Sequence, residues 1–199
     1  MYKALQLIIS SLFIFISSSL KSNENIKKIF SYLESFSSLK SDFIQINNNG
    51  NVLTGKILLS RPGKIRIEYN ENPLVVISDG KKVATVNKKL KNVTFYSLND
   101  IPIKMLLYND FDLDKVKILN YREKDNNLFL NLTENKFAEQ GFVEIIFEKN
   151  PFQMKKWTVI SNDQSKTEIL LNNLEFNSKI KKTKFDISEE DPRNQLWRN

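Results

Sequence analysis

The sequence predicts a mainly β protein, with one antiparallel sheet of about ten or eleven strands and two short helices. Short segments in which every second residue is apolar recur from residue 43 onward, and this period of two is typical of half-buried strands. Turn residues separate the segments, most clearly at Arg61-Pro62-Gly63 and Asp79-Gly80. Two other segments have apolar residues at helical spacing, so we expect helices there.

The first 20 residues have the composition of a secretory signal peptide. Lys3 supplies a positive charge, Ala4 to Ile16 is nearly all apolar, and Ser17-Ser18-Ser19 offers small residues for cleavage. The apolar run is shorter than the roughly 20 residues of a membrane-spanning helix, although an uncleaved anchor is the alternative. We therefore expect a signal peptide at 1–20 and a single domain at 21–199, exported to a bacterial periplasm.

The two helices are expected at residues 22–40 and 101–108. The first has an apolar stripe at helical spacing, made of Ile26, Ile29, Phe30, Leu33 and Phe36. The second begins with Pro102, a residue favoured in a first turn, and is followed by Ile103, Leu106 and Leu107 at helical spacing. A helix this apolar must bury its face, and the sheet is the surface available.

Burial decides the register of the first hairpin. After the turn, apolar residues occupy every second position: Ile65, Ile67 and Tyr69. A three-residue loop over 61–63 pairs them with Leu59, Ile57 and Gly55, respectively. A two-residue loop would turn the apolar set of one strand to the wrong face. The sequence therefore predicts the three-residue loop, which places Arg61 at the margin of an apolar sheet face.

The second hairpin is expected to turn at Asp79-Gly80, with Val76 opposite Val83 and Leu74 opposite Thr85. The remaining strands are expected at Val93–Leu98, Val116–Glu123, Leu128–Thr133, Phe142–Glu148, Lys155–Ser161, Lys166–Leu171, Leu174–Phe176 and Lys184–Ile187. The tail at 191–194 is expected to be irregular.

The composition limits the chemistry that this chain can perform. It has no histidine and no cysteine, which excludes a Ser-His-Asp triad, a cysteine nucleophile, a disulfide and a Cys/His zinc site. Carboxylate chemistry remains possible, but the acidic clusters lie at expected turns and edges, so we expect no enzyme, cofactor or metal. The formal charge of +7 comes from scattered lysines that are not interleaved with exposed aromatic residues, so nucleic-acid binding is not expected.

A sheet of this size curls, and three arrangements of the curled sheet are then possible. It can close around its own side chains, form a membrane barrel, or stay partly open and hold a guest in its concave face. Most of the expected strands are shorter than the roughly nine residues of a membrane-barrel strand. The two apolar helices can cover a concave face, either permanently or as a removable lid.

Four motifs resemble, in their order and spacing, the LolA family of periplasmic carriers of outer-membrane lipoproteins. They are Ser41-Asp-Phe-Ile-Gln45 after an amphipathic helix, Gly55 followed by Arg61-Pro62, Ser78-Asp79-Gly80-Lys81, and Ile101-Pro-Ile-Lys-Met-Leu-Leu107. The resemblance covers essentially everything after the signal peptide. It implies an unclosed antiparallel β-barrel with a lid of short α-helices over an apolar cavity for acyl chains.

The resemblance also implies roles for individual residues. Arg61 matches the family's lid-latch arginine, which donates hydrogen bonds to backbone carbonyls of the lid; without the resemblance it would be an ordinary exposed turn arginine. The candidate residues of the acyl-chain cavity are Ile57, Leu59, Ile65, Ile67, Tyr69, Leu74, Val76 and Val83. The candidate residues of the lid are Ile29, Leu33, Ile103, Leu106 and Leu107.

The function that the resemblance implies is that of a monomeric periplasmic chaperone. It takes lipoproteins from the inner-membrane lipoprotein-releasing ABC transporter, shields their acyl chains and delivers them to the outer-membrane lipoprotein receptor. The receptor of the same fold is itself a lipoprotein and needs a cysteine, which this chain lacks, so the soluble carrier is favoured. The alternative is a related periplasmic sensor or scaffold that binds lipid or lipoprotein and signals to a partner protein.

Overall fold

The computed structural model describes residues 23–108 and 115–195, except for the side chains of four of them: Asp100, Pro102, Ile103 and Gln195. The expected signal peptide at 1–20 lies outside the described residues. Within them, 11 strands form one sheet in the order β6-β5-β4-β3-β2-β1-β11-β10-β9-β8-β7, and every neighbouring pair is antiparallel. Strands β6 and β7 are the two edges, so the sheet is not closed, and the predicted mainly β fold is confirmed.

The bounds of the strands are as follows. They are β1 Ser38–Asn47, β2 Val52–Ser60, β3 Lys64–Tyr69, β4 Leu74–Asp79, β5 Lys82–Asn87, β6 Asn92–Ser97, β7 Val116–Lys124, β8 Asn127–Glu134, β9 Gly141–Glu148, β10 Gln153–Ser161 and β11 Lys166–Phe176. The helix α1 covers 23–34 of the described residues. The other helical elements are the 3₁₀ helices η1 Leu98–Asp100, η2 Pro102–Leu107, η3 Asn135–Phe137 and η4 Lys182–Phe185, and the short α-helices α2 Ile187–Glu190 and α3 Pro192–Gln195. None of the helices in this part of the chain is long and apolar enough to cross a membrane.

Several predicted elements differ from the structure in extent or in type. The first helix ends at residue 34 rather than 40, because Ser38 onward pairs with both β2 and β11 and so forms β1. The second is a 3₁₀ helix and not an α-helix, because extended backbone at Ile101 and Tyr108 leaves it only six residues. The strand predicted at Lys184–Ile187 is instead η4 and the start of α2, where the Asp186 carboxylate caps the amide of Ser188.

The C-terminal strands and tail also differ from the prediction. The strands expected at Lys166–Leu171 and Leu174–Phe176 form one strand, β11, which contains a register shift against β1. The tail expected to be irregular contains α3. Both segments therefore have more regular structure than the local pattern indicated.

The register of the first hairpin is confirmed. Leu59 pairs with Ile65, Ile57 with Ile67, and Gly55 with Tyr69, which leaves a loop of three residues. Gly63 in that loop has a φ of +73°, a conformation that favours glycine. The apolar set of both strands consequently lies on one face of the sheet, as burial requires.

The pairing predicted for the second hairpin is wrong. Its loop is Gly80-Lys81 and not Asp79-Gly80, because Gly80 has a φ of +97°, as the first central residue of a type II′ turn requires. The Asp79 Oδ1 atom also accepts a hydrogen bond from the amide of Lys81 at 2.8 Å. The observed pairs are Val76 with Thr85, Leu74 with Asn87, and Ser78 with Val83. Because the slip is two positions, each side chain keeps its predicted face.

The sheet has an apolar cluster on each face. We call the face on which α1 and η2 pack the inner face; its large cluster joins both segments to buried residues of eight strands, β1 to β3, β5 and β8 to β11. The smaller cluster, on the outer face, contains Val75, Ile77, Ala84, Val86 and Ile187. Residues 182–195 cover this outer cluster, a role that the sequence analysis did not predict.

Candidate functional site

Arg61 joins the two segments that cover the inner face. Its guanidinium donates from Nε and Nη2 to the carbonyl oxygen of Leu106 in η2, at 3.2 and 2.9 Å. Its Nη1 donates to the carbonyl oxygens of Phe36, at 3.0 Å, and Leu33. One planar group therefore satisfies carbonyls at the end of α1 and in η2, and these are acceptors that helix ends leave without partners.

The backbone of the Arg61 turn adds further bonds to the same segments. The amide of Gly63 donates to the carbonyl oxygen of Leu107 at 2.7 Å, and the amide of Arg61 donates to Ser37 at 2.8 Å. The hydroxyl of Ser78 in turn donates to the carbonyl of Gly63 at 2.8 Å. The turn is thus fixed to the second hairpin on one side and holds both covering segments on the other.

The charge of Arg61 is buried. Only 8% of the residue is exposed, and its guanidinium lies 4.2 Å from the centre of the Phe36 ring. Burial lowers the pKa of Arg61 to about 10, an effect that the charge of Glu34 partly opposes. At neutral pH the guanidinium therefore stays protonated and keeps all its donors.

Beneath this arginine, α1 and η2 fill the concave inner face. We call the apolar sheet residues of the inner face the wall. Residues of both segments and of this wall leave a cavity of about 10 Å³, which is at the lower limit for one water molecule. The residues around it are Leu33, Phe36, Leu39, Leu59, Arg61, Ile65, Leu106, Leu107, Met154 and Trp157. Around this cavity, α1 and η2 therefore cover the apolar face.

The structure places the predicted cavity residues in two groups. Ile57, Leu59, Ile65 and Val83 are buried in the inner cluster, whereas Ile67, Tyr69 and Val76 are half-buried at its margin. Leu74 is half-buried on the same face but lies outside the cluster. Of the predicted lid residues, Ile29, Leu33, Leu106 and Leu107 are buried in the inner cluster, and the side chain of Ile103 lies outside the described ones.

Sequence reasoning missed the larger part of the apolar wall. Strands β8 to β11 supply ten buried residues to the inner cluster: Leu128, Leu130, Leu132, Val143, Ile145, Phe147, Met154, Trp157, Ile169 and Leu171. The signal was present, because apolar residues alternate at positions 128–132 and 143–147. Trp157 is the largest side chain around the cavity and lies there together with Leu106 and Leu107 of η2.

A family model described as outer membrane lipoprotein carrier protein LolA matches residues 34–188. This chain belongs to the LolA family. The matched range contains Arg61, η2 and all 11 strands of the described sheet. The predicted family is thereby confirmed.

The relatives of this LolA-family chain support the fold but do not define an activity. An uncharacterized protein of Rickettsia prowazekii (strain Madrid E) is 26% identical over 141 residues, which is 70% of this chain and 66%, slightly less than two thirds, of that protein. A candidate outer membrane lipoprotein-sorting protein domain from Vibrio parahaemolyticus has a TM-score of 0.52 at 8% identity, covering 84% of this chain and 97% of that one. A DUF1329 family protein from Desulfovibrio piger ATCC 29098 has a TM-score of 0.50 at 12% identity, covering 85% and 98%.

Proposed function

We propose that this protein is a periplasmic carrier that shields the acyl chains of lipoproteins in its inner face. The observation that carries the proposal is the bonding of Arg61 to both α1 and η2 above an apolar wall. A wall that is covered by two separate segments, both bonded to the Arg61 turn, can be uncovered without unfolding the sheet. Arg61 is then the latch of a lid made of α1 and η2.

The energetics favour such a lid over an empty groove. Burying one methylene contributes about 0.8 kcal/mol, so one long acyl chain gains roughly 10 kcal/mol of gross burial. A preformed open groove would bind such a chain too tightly to deliver it. When Leu106 and Leu107 must first leave the wall, the net affinity is the difference between two burials, and release becomes possible.

The partners and location follow from this role. Cargo comes from the inner membrane through the lipoprotein-releasing ABC transporter and passes to the outer-membrane receptor, so the chain acts in the periplasm as a monomer. We propose a binding protein and not an enzyme, since the inner face presents apolar side chains to its guest. The chain needs no cofactor for this task.

A transfer assay with purified components tests the proposal. Inner-membrane vesicles that contain the transporter and a radiolabelled lipoprotein are incubated with the protein, and soluble labelled complex is measured. Release that depends on the protein, with acyl chains identified in the complex by mass spectrometry, is the expected result. No release, together with no bound lipid after purification, would contradict the carrier role. Stable binding of lipoprotein without delivery to outer membranes would favour the sensor.

A further inference from the structure

The segment 98–107, which contains η1 and η2, is anchored at a second place, far from Arg61 along the chain. Lys136, in the η3 connection between β8 and β9, donates from Nζ to the carbonyl oxygen of Asn99 in η1. The side-chain oxygen of Asn99 accepts a bond from Lys104 of η2 at 2.8 Å. Asn99 therefore links η2 to the connection between β8 and β9.

The bond between Lys136 and Asn99 joins residues that lie next to the two edges of the sheet. Asn99 follows β6, which is one edge of the unclosed sheet, and Lys136 follows β8, the partner of the other edge strand, β7. The amide of Asn135 also donates to the carbonyl of Lys115, next to the start of β7, at 3.0 Å. The contact between Lys136 and Asn99 thus spans the gap between the two edges.

Both edges carry exposed apolar side chains on the inner face. Tyr96 of β6 pairs with buried Val83, and Ile118 of β7 pairs with buried Leu132, so each points to the same face as its partner. Tyr96 is 53% exposed and Ile118 is 40% exposed. An apolar margin therefore lies on either side of the gap, continuous with the covered wall.

We propose that acyl chains enter between the edge strands β6 and β7, and that Lys136 is a second latch that closes this entrance. The inference rests on the proposed carrier function. Arg61 is buried, whereas 46% of the Lys136 side chain is exposed to water, and an exposed contact of this kind is worth little. The Lys136 contact opens first, while the Arg61 turn still holds Leu106 and Leu107.

Loading kinetics of an uncharged fluorescent acyl ester test the entrance. Lys136→Met loads about 2- to 5-fold faster than the wild type, which is the factor expected for losing one exposed charged contact. Lys136→Arg, which keeps a donor, loads at the wild-type rate. Lys155→Met is the matched control, because Lys155 is 44% exposed and contacts Glu148 much as Lys136 contacts Glu134. Equal rates for Lys136→Met and Lys155→Met would overturn the latch.

Substitution of a residue on an edge strand gives a second test of the entrance. Ile118→Gln loads more slowly than the wild type, whereas Val52→Gln, an exposed aliphatic residue on β2 far from the gap, does not. Equal slowing by both variants would overturn the entrance.

Hydrogen exchange of the empty protein separates this inference from the proposed function. The amides of 98–107 exchange faster in Lys136→Met than in Lys155→Met if Lys136 holds the segment, and equal exchange would contradict the latch without any ligand. Failure of every variant to bind the ester, Arg61→Leu included, would instead contradict the carrier function.

Discussion

Arg61 and Leu106 are joined by two hydrogen bonds that share one carbonyl oxygen, although 45 positions separate them in the chain. The Nη1 group of the same guanidinium donates to the carbonyl oxygens of Leu33 and Phe36. Because hydrogen bonds to a charged group are worth about 1.5–3 kcal/mol each, the closed arrangement depends heavily on this residue. The cost of burying the charge, visible in its lowered pKa, offsets part of that gain.

Arg61→Leu is expected to favour the open lid and to trap cargo. Removal of the guanidinium leaves three buried carbonyls without their donor only while the lid is closed, so an acyl probe binds about 10-fold tighter or more. Equilibrium titration and dissociation kinetics with the acyl ester measure this change. Arg66→Leu is the matched control, since Arg66 is also buried but contacts residues 184 and 190 on the outer face. An equal gain in affinity for both variants would indicate general loosening and not a latch.

Leu107→Ala and Leu130→Ala should have opposite effects on binding. Both leucines are buried in the inner cluster, so each substitution costs about 2–5 kcal/mol of the state that contains it. Leu107 packs against the wall only when the lid is closed. Its truncation destabilises that closed state and so raises the affinity for an acyl chain. Leu130 belongs to the wall in either state, and its truncation lowers both affinity and the free energy of unfolding. Titration with the probe and urea unfolding measure the two quantities; a parallel loss of affinity would contradict the displaceable lid.

Gly55→Ala should strongly destabilise the sheet. A Cβ atom there would lie 2.0 Å from the carbonyl oxygen of Glu68 and 2.7 Å from the ring of Phe43. The Phe43 and Tyr69 rings also meet edge to face, with centroids 5.4 Å apart, and their residues pair with Gly55 from either side. Because a backbone atom cannot move aside, we expect a loss of about 3 kcal/mol in urea unfolding, the upper end of the usual cost of overpacking.

Gly50→Ala is the control for that substitution. No atom lies within 4 Å of its added Cβ, but its φ is +79°, so only backbone strain of about 1–2 kcal/mol is expected. A loss for Gly55→Ala no larger than that for Gly50→Ala would show that the sheet accommodates the methyl group.

Burial patterns explain why one hairpin was predictable and the other was not. In the first, a slip of one residue would have exposed Ile65 and Ile67, so the sequence carried the information. In the second, the two registers differ by two positions and bury the same side chains. The choice there depended on the φ of Gly80 and a bond to Asp79, which no hydrophobic pattern encodes.

The candidate site was predictable to a similar, limited extent. The apolar alternation identified one wall, and the same argument applied to β8 and β9 would have found Leu130 and Ile145. The acceptors of Arg61 could not be found in this way, because they lie 25 to 45 residues away and are backbone atoms. Only the family resemblance pointed to backbone carbonyls of the covering segments as the partners of this arginine.

Acid should weaken the attachment of the C-terminal segment through Glu190. Burial alone would raise the pKa of Glu190, but hydrogen bonds and charges from Lys88 and Arg66 outweigh it and lower the pKa from 4.5. The ionised carboxylate therefore stabilises the fold fully above pH 4.5, and this contribution is lost as the pH falls through the lowered pKa. Urea unfolding from about pH 7 to about pH 3 should show a falling free energy that flattens in Glu190→Gln but not in Glu175→Gln, whose carboxylate is exposed. Parallel profiles for wild type and Glu190→Gln would mean that this carboxylate does not link the segment to the sheet.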